Sequence, residues 1–383
     1  VNTFTRAEAM DLRAAVEGRL LGFNLSLGYG FRRFSDDTSF RSETNPGLNT
    51  TNQSRITIFD RFHPIRGNTN YGNFNAQRTF AKKLDFTARV IYSLTDRDFG
   101  FFETITGRDN TNPAGNIIEL DRFEIRGDAK RPQTRGDLGL TYAVTDKLRI
   151  SETFTFDTFN ITGGNAFAEA VTRRTAAGGP LASQFTNSLF YRVTGFRRFV
   201  NTVEADYQFN RRLGVNVGYR FTHRRVNLVG FDQPLPPATN LTRTIKDEEE
   251  ENQTNTLIAG TRIKPHDNWS IFADVEIGES DNAFTRLANY KFTNLRLRSI
   301  WRFNQFAFNL SAITKDNENP SFSTTNPTGD FIANTKSRIF SGYVDWTPMQ
   351  KLSVSAGYTY QHLTSETDIV VPLAALTRGV SQY

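Results

Sequence analysis

The chain alternates between apolar and polar residues over long stretches. The segments 84–94, 215–221, 269–277 and 352–360 all show this pattern. Within the third, the apolar positions Val275 and Ile277 flank Glu276. Strict alternation over about nine or more residues predicts a β-strand with one apolar and one polar face.

These strands are predicted to pair in hairpins around short turns. Asn, Thr, Gly and Asp are common in the longer connections between hairpins, at residues 36–68, 98–133, 160–198 and 225–252. The pattern indicates at least fourteen antiparallel strands, with short turns at one end and long loops at the other. The predicted turns centre near Gly22-Phe23, Lys82-Lys83, Thr145-Asp146, Asn210-Arg211, Pro265-Asp267, Asn304-Gln305 and Pro348-Gln350.

The length of the alternating stretches favours an all-β transmembrane barrel. Strands of soluble proteins are usually about five or six residues long, whereas a tilted strand needs about 9 to 11 residues to cross a bilayer. Lipid does not tolerate an unpaired sheet edge, so the sheet must close into an antiparallel barrel. Short turns then mark the periplasmic side and long loops the extracellular side. A soluble β-sandwich or adhesin is the alternative, with shorter strands and no such asymmetry.

Composition adds a second argument for a membrane location. The chain contains 34 Phe, 12 Tyr and 3 Trp, yet 22% of its residues are charged and its mean hydropathy is −0.48. Aromatic residues near the ends of the apolar faces resemble the girdles that barrels place at the two membrane interfaces. Those residues are Phe80, Phe86, Trp269, Trp301, Phe306, Trp346 and Tyr360.

Other features exclude several classes of protein. With no Cys, the chain cannot form disulfides or thiolate metal sites, or attach haem covalently. It has no run of 18 apolar residues, so no transmembrane helix is predicted. The net charge of +6 is mild, and the Arg residues alternate along strands, so we predict no nucleic-acid partner.

The two ends of the chain are less regular. Thr5 and Glu8 fit a helical capping box, and helix formers continue to Leu21. Yet the residues from Leu12 to Leu20 also alternate, and the next segment needs a partner strand. We therefore favour a strand over a helix. Residues 364–383 suggest no clear further strand. Since this arrangement puts both ends on the loop side, we interpret residues 1–383 as a single barrel domain that is an internal portion of a larger barrel.

The inward faces of the predicted strands carry many charges. Any barrel has a solvated or salt-bridged interior, so one such residue means little, but together they indicate a polar lumen. The residues predicted to line it are Arg13, Glu17, Arg89, Glu204, Asp206, Arg220, Arg262, Asp274, Glu276, Arg296, Arg298 and Asp345.

No catalytic or metal site is predicted. The four His residues lack metal-ligand spacing within any element. His362 lies near Ser365 and Glu366, but this is a weak arrangement for a hydrolase. The acidic run Asp247–Glu251 is interpreted as a solvated extracellular loop.

The chain resembles a bacterial outer-membrane β-barrel over residues 11 to 362. More specifically, the turns at 144–148 and 346–352 and the loop segment 36–40 resemble those of porin–cytochrome conduits, the MtrB/PioB family. That resemblance implies a barrel in the outer-membrane lipid that sheathes a multihaem cytochrome and supports electron transfer. Any haem would belong to the partner, because no haem ligand can be assigned here and the Cys-x-x-Cys found in part of that family is absent.

Two further functions remain open. One is a solute diffusion porin, for which the segments 98–133 and 160–198 are long enough to form an inward-folded constriction loop. The other is the barrel of a TonB-dependent receptor, whose plug domain is not present in this sequence.

Overall fold

The computed structural model describes residues 2–43, 55–108, 117–175, 177–282, 289–322, 330–367, 370–372 and 380–382. Across these ranges the chain consists of strands and the turns that join them. No helix in the described part of the chain is long and apolar enough to span a bilayer.

Fourteen strands form one sheet in which each strand pairs with its neighbours in the sequence. All of these pairings are antiparallel, so the predicted all-β class and the fourteen antiparallel strands are confirmed. A separate two-stranded sheet joins β15 (Val370–Pro372) and β16 (Val380–Gln382). The strands of the large sheet are β1 (Asn2–Leu20), β2 (Phe23–Glu43), β3 (Arg55–Phe80), β4 (Leu84–Arg108), β5 (Ile117–Ala143), β6 (Leu148–Arg174), β7 (Gln184–Asn210), β8 (Leu213–Leu235), β9 (Thr244–His266), β10 (Trp269–Ser280), β11 (Lys291–Phe303), β12 (Phe306–Phe322), β13 (Asp330–Met349) and β14 (Leu352–Thr367).

The ambiguous first segment is a strand, as favoured from the sequence. Every residue of β1 pairs with β2, from Asn2 opposite Arg41 to Leu20 opposite Phe23. The helix formers in this segment are overridden, because the alternating strand β2 supplies a full ladder of hydrogen bonds.

Short turns join the strands at one end of the sheet, close to the positions predicted. The first turn places Leu21 and Gly22 at φ 51° and 79°, and the second places Ala81 and Lys82 at 48° and 58°. Positive φ at both central residues gives a turn whose twist matches that of the flanking strands.

The predicted loops 36–68, 98–133, 160–198 and 225–252 are wrong in extent. Most of their residues continue the strands, and β5, β6 and β7 each reach 27 residues. The inward-folded constriction loop is therefore contradicted for the described parts of 98–133 and 160–198. Neighbouring backbones continue to pair there although the side-chain pattern of these segments no longer alternates between apolar and polar.

The sheet is a single layer with two free edges. Within the described residues, β1 pairs with β2 alone and β14 with β13 alone. Every residue of β1 is exposed. The buried apolar side chains of the described chain are few, namely Ala76, Val171, Ile258 and Ala333. The register of the sheet, rather than a packed core, therefore positions the functional groups.

Candidate functional site

The register divides the sheet into two faces, because directly paired residues of an antiparallel sheet lie on the same face. Val16 pairs with Leu27, and Leu27 pairs in turn with Phe74. Continued through the other pairings, this face collects apolar residues from all fourteen strands, which we call the apolar band. It includes Leu12, Val16, Leu27, Phe74, Val90, Leu138, Phe154, Val203, Val217, Leu257, Ile277, Leu297, Leu310, Phe340 and Tyr358.

The apolar band is exposed. Val217 is 58% exposed, Leu257 65% and Leu310 57%. Soluble proteins rarely expose contiguous apolar surface of more than a few hundred Å². A surface of this kind on every strand of the sheet suits contact with lipid.

Aromatic side chains line both ends of the apolar band. At the turn end, the ring of Trp301 stacks on Phe308 at 5.3 Å, and that of Phe306 on Trp346 at 6.0 Å. At the loop end, the hydroxyl of Tyr29 donates to Asn70 Oδ1 at 2.7 Å. The register also places all the predicted girdle residues on this face: Phe80, Phe86, Trp269, Trp301, Phe306, Trp346 and Tyr360.

The opposite face, which we call the polar face, carries every residue predicted to line a lumen. The structure distributes these residues over several strands and does not gather them into one site. Arg220 and Glu276 meet across β9 at 3.4 Å, and Asp274 lies directly opposite Arg296. Assigned by register, the full set is Arg13, Glu17, Arg89, Glu204, Asp206, Arg220, Arg262, Asp274, Glu276, Arg296, Arg298 and Asp345. Whether this face encloses a lumen stays a prediction.

A network on the polar face was missed from the sequence. Asp11 accepts hydrogen bonds from Arg13 at 2.7 Å and Arg32 at 2.8 Å. The Tyr71 hydroxyl also reaches Asp11, at 2.9 Å, from β3. Its ring passes over Gly30, where a Cβ would lie 2.1 Å from the ring. Asp11 has the same strand parity as Arg13, so the alternation of β1 carried the signal that could have identified it.

On β2 to β5, beyond the apolar band and toward the loop end, the two faces exchange character. Along one face of β4, Tyr92 and Leu94 give way to Asp96, whereas Arg89 on the opposite face is followed by Phe99 and Phe101 nearer the loops. The strands extend past the band. On β2 to β5 the outer side of this extension, continuous with the apolar band, carries charges, and its inner side, continuous with the polar face, carries aromatic residues. This is the pattern of a sheet that faces water on its outer side.

Five Phe residues form a row across β2 to β6 on the inner side of this extension. We call Phe40, Phe59, Phe101, Phe123 and Phe167 the aromatic ladder; all five are half-buried. Successive ring centroids lie 5.5 Å apart for the first pair, and 5.6 Å and 5.0 Å apart for the last two pairs.

An arginine completes the ladder across the gap between its second and third rings. The guanidinium of Arg61 lies 4.9 Å from the centroid of Phe59 and 5.1 Å from that of Phe101. It also pairs with Glu103 at 2.6 Å. Cation–π contact with both rings therefore bridges this gap.

The acidic run Asp247–Glu251 lies within β9, so its assignment to a loop is wrong. Basic residues of β8 oppose it: Arg225 pairs with Glu249, and His223 with Glu251 at 2.9 Å. The hydrogen bond to His223 lowers the pKa of the Glu251 carboxyl. Cross-strand pairing of opposite charges lets the run continue as a strand.

The described residues contain no cluster of three or more His, Cys, Asp and Glu side chains suited to a metal ion. His362 Nε2 contacts Thr364 Oγ1 at 3.2 Å. Ser365 lies on the opposite face of β14 from His362, because the two are an odd number of residues apart. The structure therefore does not bring His362 and Ser365 together as a hydrolase site would require.

Comparisons with known proteins show similarity to solved structures alone. No family model matches the chain, and no curated protein matches its sequence. The siderophore receptor PiuA from Acinetobacter baumannii is 10% identical at a TM-score of 0.49, with 99% of this chain and 65% of that chain covered. The ferric preacinetobactin receptor BauA from the same species is 13% identical at a TM-score of 0.44, with 94% of this chain and 61% of that chain covered. The Pseudomonas putida toluene transporter TodX is 12% identical at a TM-score of 0.34, with 89% of this chain and 88% of that chain covered. The finer resemblance to porin–cytochrome conduits stays a prediction.

Proposed function

We propose that this chain forms the wall of a β-barrel in the bacterial outer membrane, and that its polar face lines a water-filled passage for solutes. One observation carries the proposal: an exposed apolar band runs across all fourteen strands, back to back with a continuous polar face. In lipid, the band is solvated by acyl chains and the charged face must enclose water.

The dimensions of the band support a membrane span. On β1 the apolar positions run from Leu12 to Leu20, a segment as long as the roughly 9 to 11 residues that a tilted strand needs. The aromatic rows at both ends of the band match the two interfaces of a bilayer. The short turns then lie on the periplasmic side, and the extension lies outside the cell.

The proposal assigns no reaction to the chain. The charges of the polar face serve to hydrate the passage and to select among solutes. Because lipid does not tolerate unpaired strand edges, we also propose that further strands complete the barrel across the free edges of β1 and β14.

The facing of the strands is tested by single cysteines in this Cys-free chain. Arg220→Cys and Asp274→Cys should react with a membrane-impermeant maleimide in lipid vesicles, since both positions face water in the passage. Val217→Cys and Val275→Cys, on the same strands but within the band, should react only after detergent denaturation. The reverse pattern of labelling would contradict the proposed facing.

A second candidate function is a sheath around a multihaem cytochrome. The aromatic ladder favours it, because five half-buried Phe rings would face water in an open passage and would be covered if protein filled it. The test is the visible spectrum of the complex purified from its native membrane. A stoichiometric Soret band with low conductance would support the sheath. A spectrum without a Soret band, together with ion conductance, would support the open passage instead.

A further inference from the structure

Four arginines of the polar face line one cleft of about 450 Å³, shared by strands β4 to β8. They are Arg89, Arg135, Arg198 and Arg220, and Arg198 lies directly opposite Asp157 in the β6–β7 ladder. The sequence-based assignment contained two of them, Arg89 and Arg220. Arg135 and Arg198 follow from the register.

The cleft carries more positive than negative charge. Its acidic members are Asp137 and Asp157, against four arginines. Asp157 already accepts a hydrogen bond from Gln133 at 2.8 Å. Within the described chain, Arg89, Arg135 and Arg198 form no ion pair or side-chain hydrogen bond. Three guanidinium groups thus present their donors to whatever occupies the cleft.

A like-charged pair stands at one side of the cleft. Arg198 on β7 is directly opposite Arg224 on β8. Partial burial, and secondarily the charge of Arg198, lower the pKa of Arg224. Arg224 therefore places a further guanidinium group beside the cleft.

A stacked aromatic pair forms an apolar surface that borders the arginines on the loop side. Two residues further along β6 and β7, the rings of Phe159 and Phe196 stack at 4.9 Å with an interplanar angle of 17°. The guanidinium of Arg131 lies 4.6 Å from the centroid of Phe159. Val226 pairs with Phe196 and extends the surface onto β8.

We infer that this cleft binds small organic anions, namely carboxylates with a flat apolar body, as they enter the passage. The guanidinium groups supply charge-assisted hydrogen bonds to the carboxylate, and the Phe159–Phe196 pair contacts the apolar body. The inference deepens the proposed function and relies on the polar face being accessible to solutes.

The probe is benzoate, with acetate and benzylamine for comparison. Its binding to the full chain in mild detergent is measured by equilibrium dialysis, and its block of chloride current in planar bilayers is measured in parallel. We expect benzoate to bind more tightly than acetate, and benzylamine not to compete. Arg135→Gln and Arg198→Gln should each weaken benzoate binding about tenfold, the effect of losing one charge-assisted hydrogen bond. Phe159→Ala should reduce the difference in binding affinity between benzoate and acetate, because it removes one ring that contacts the apolar body.

The matched control is Arg149→Gln. Arg149 lies on the same face of β6 but lines a different cleft, with Asp206 and Asp274, so benzoate binding should be unchanged. Equal binding by the parent, Arg135→Gln and Arg198→Gln, each with an unchanged β-sheet circular dichroism spectrum, would overturn the inference. Binding that depends on these arginines in a protein that conducts no ions would support the anion site itself and reject the open passage of the proposed function.

Discussion

At the scale of single residues, the polar face relies on small residues that make room for large neighbours. Tyr71 reaches from β3 to Asp11 on β1 because Gly30, on the strand between them, has no side chain. This contact ties the edge strand β1 to the rest of the sheet beyond its pairing with β2. Glycine is required here for close approach rather than for its backbone conformation.

Gly30→Ala should therefore displace the Tyr71 ring and break its hydrogen bond to Asp11. We expect the free energy of unfolding to fall by about 1–3 kcal/mol, the usual cost of overpacking, measured by urea unfolding in detergent. Gly18→Ala is the control, since nothing lies within 4 Å of the Cβ it adds on β1. Equal stability of the two variants would show that the Tyr71 contact contributes nothing.

At the scale of elements, strands β2 to β5 each have two parts of opposite facing. In the band, the outer side is apolar and the inner side polar; in the extension, the outer side is charged and the inner side aromatic. The change occurs where Leu94 is followed on the same face by Asp96 in β4, and a comparable step occurs at Lys130 in β5. The physical cause is the change of outer solvent from lipid to water.

The band also makes a prediction for the native fluorescence. All three Trp residues, Trp269, Trp301 and Trp346, lie on the apolar face at the turn end. In vesicles, we expect spin labels near the headgroup to quench them more strongly than labels at the bilayer centre. Aqueous iodide should quench them little. Strong iodide quenching with no effect of lipid labels would place this face in water.

At the scale of the whole molecule, the free edges of β1 and β14 determine how the barrel is completed. If further strands separate them, as proposed, Val16→Cys on β1 should form no disulfide with a cysteine at Val354, Ala356, Tyr358 or Tyr360 on β14. The control pair is Val16→Cys with Leu27→Cys, which are direct neighbours in the β1–β2 ladder and should cross-link. Non-reducing electrophoresis detects disulfide formation in the test pairs and in the control pair. A disulfide between β1 and β14 would show that these fourteen strands close on themselves.

The alternation of the sequence by itself determined the class, the turns and the facing of the band. Because side chains of a strand alternate between its faces, the parity of Arg220 or Asp274 was enough to place each opposite the apolar residues. Only the tertiary structure decided how far the strands extend, since residues 98–108 and 117–133 carry no regular alternation and are held by pairing with their neighbours. It alone also brought Arg135, Arg198 and the rings of Phe159 and Phe196 together, because contacts across strands depend on register, which a single strand does not encode.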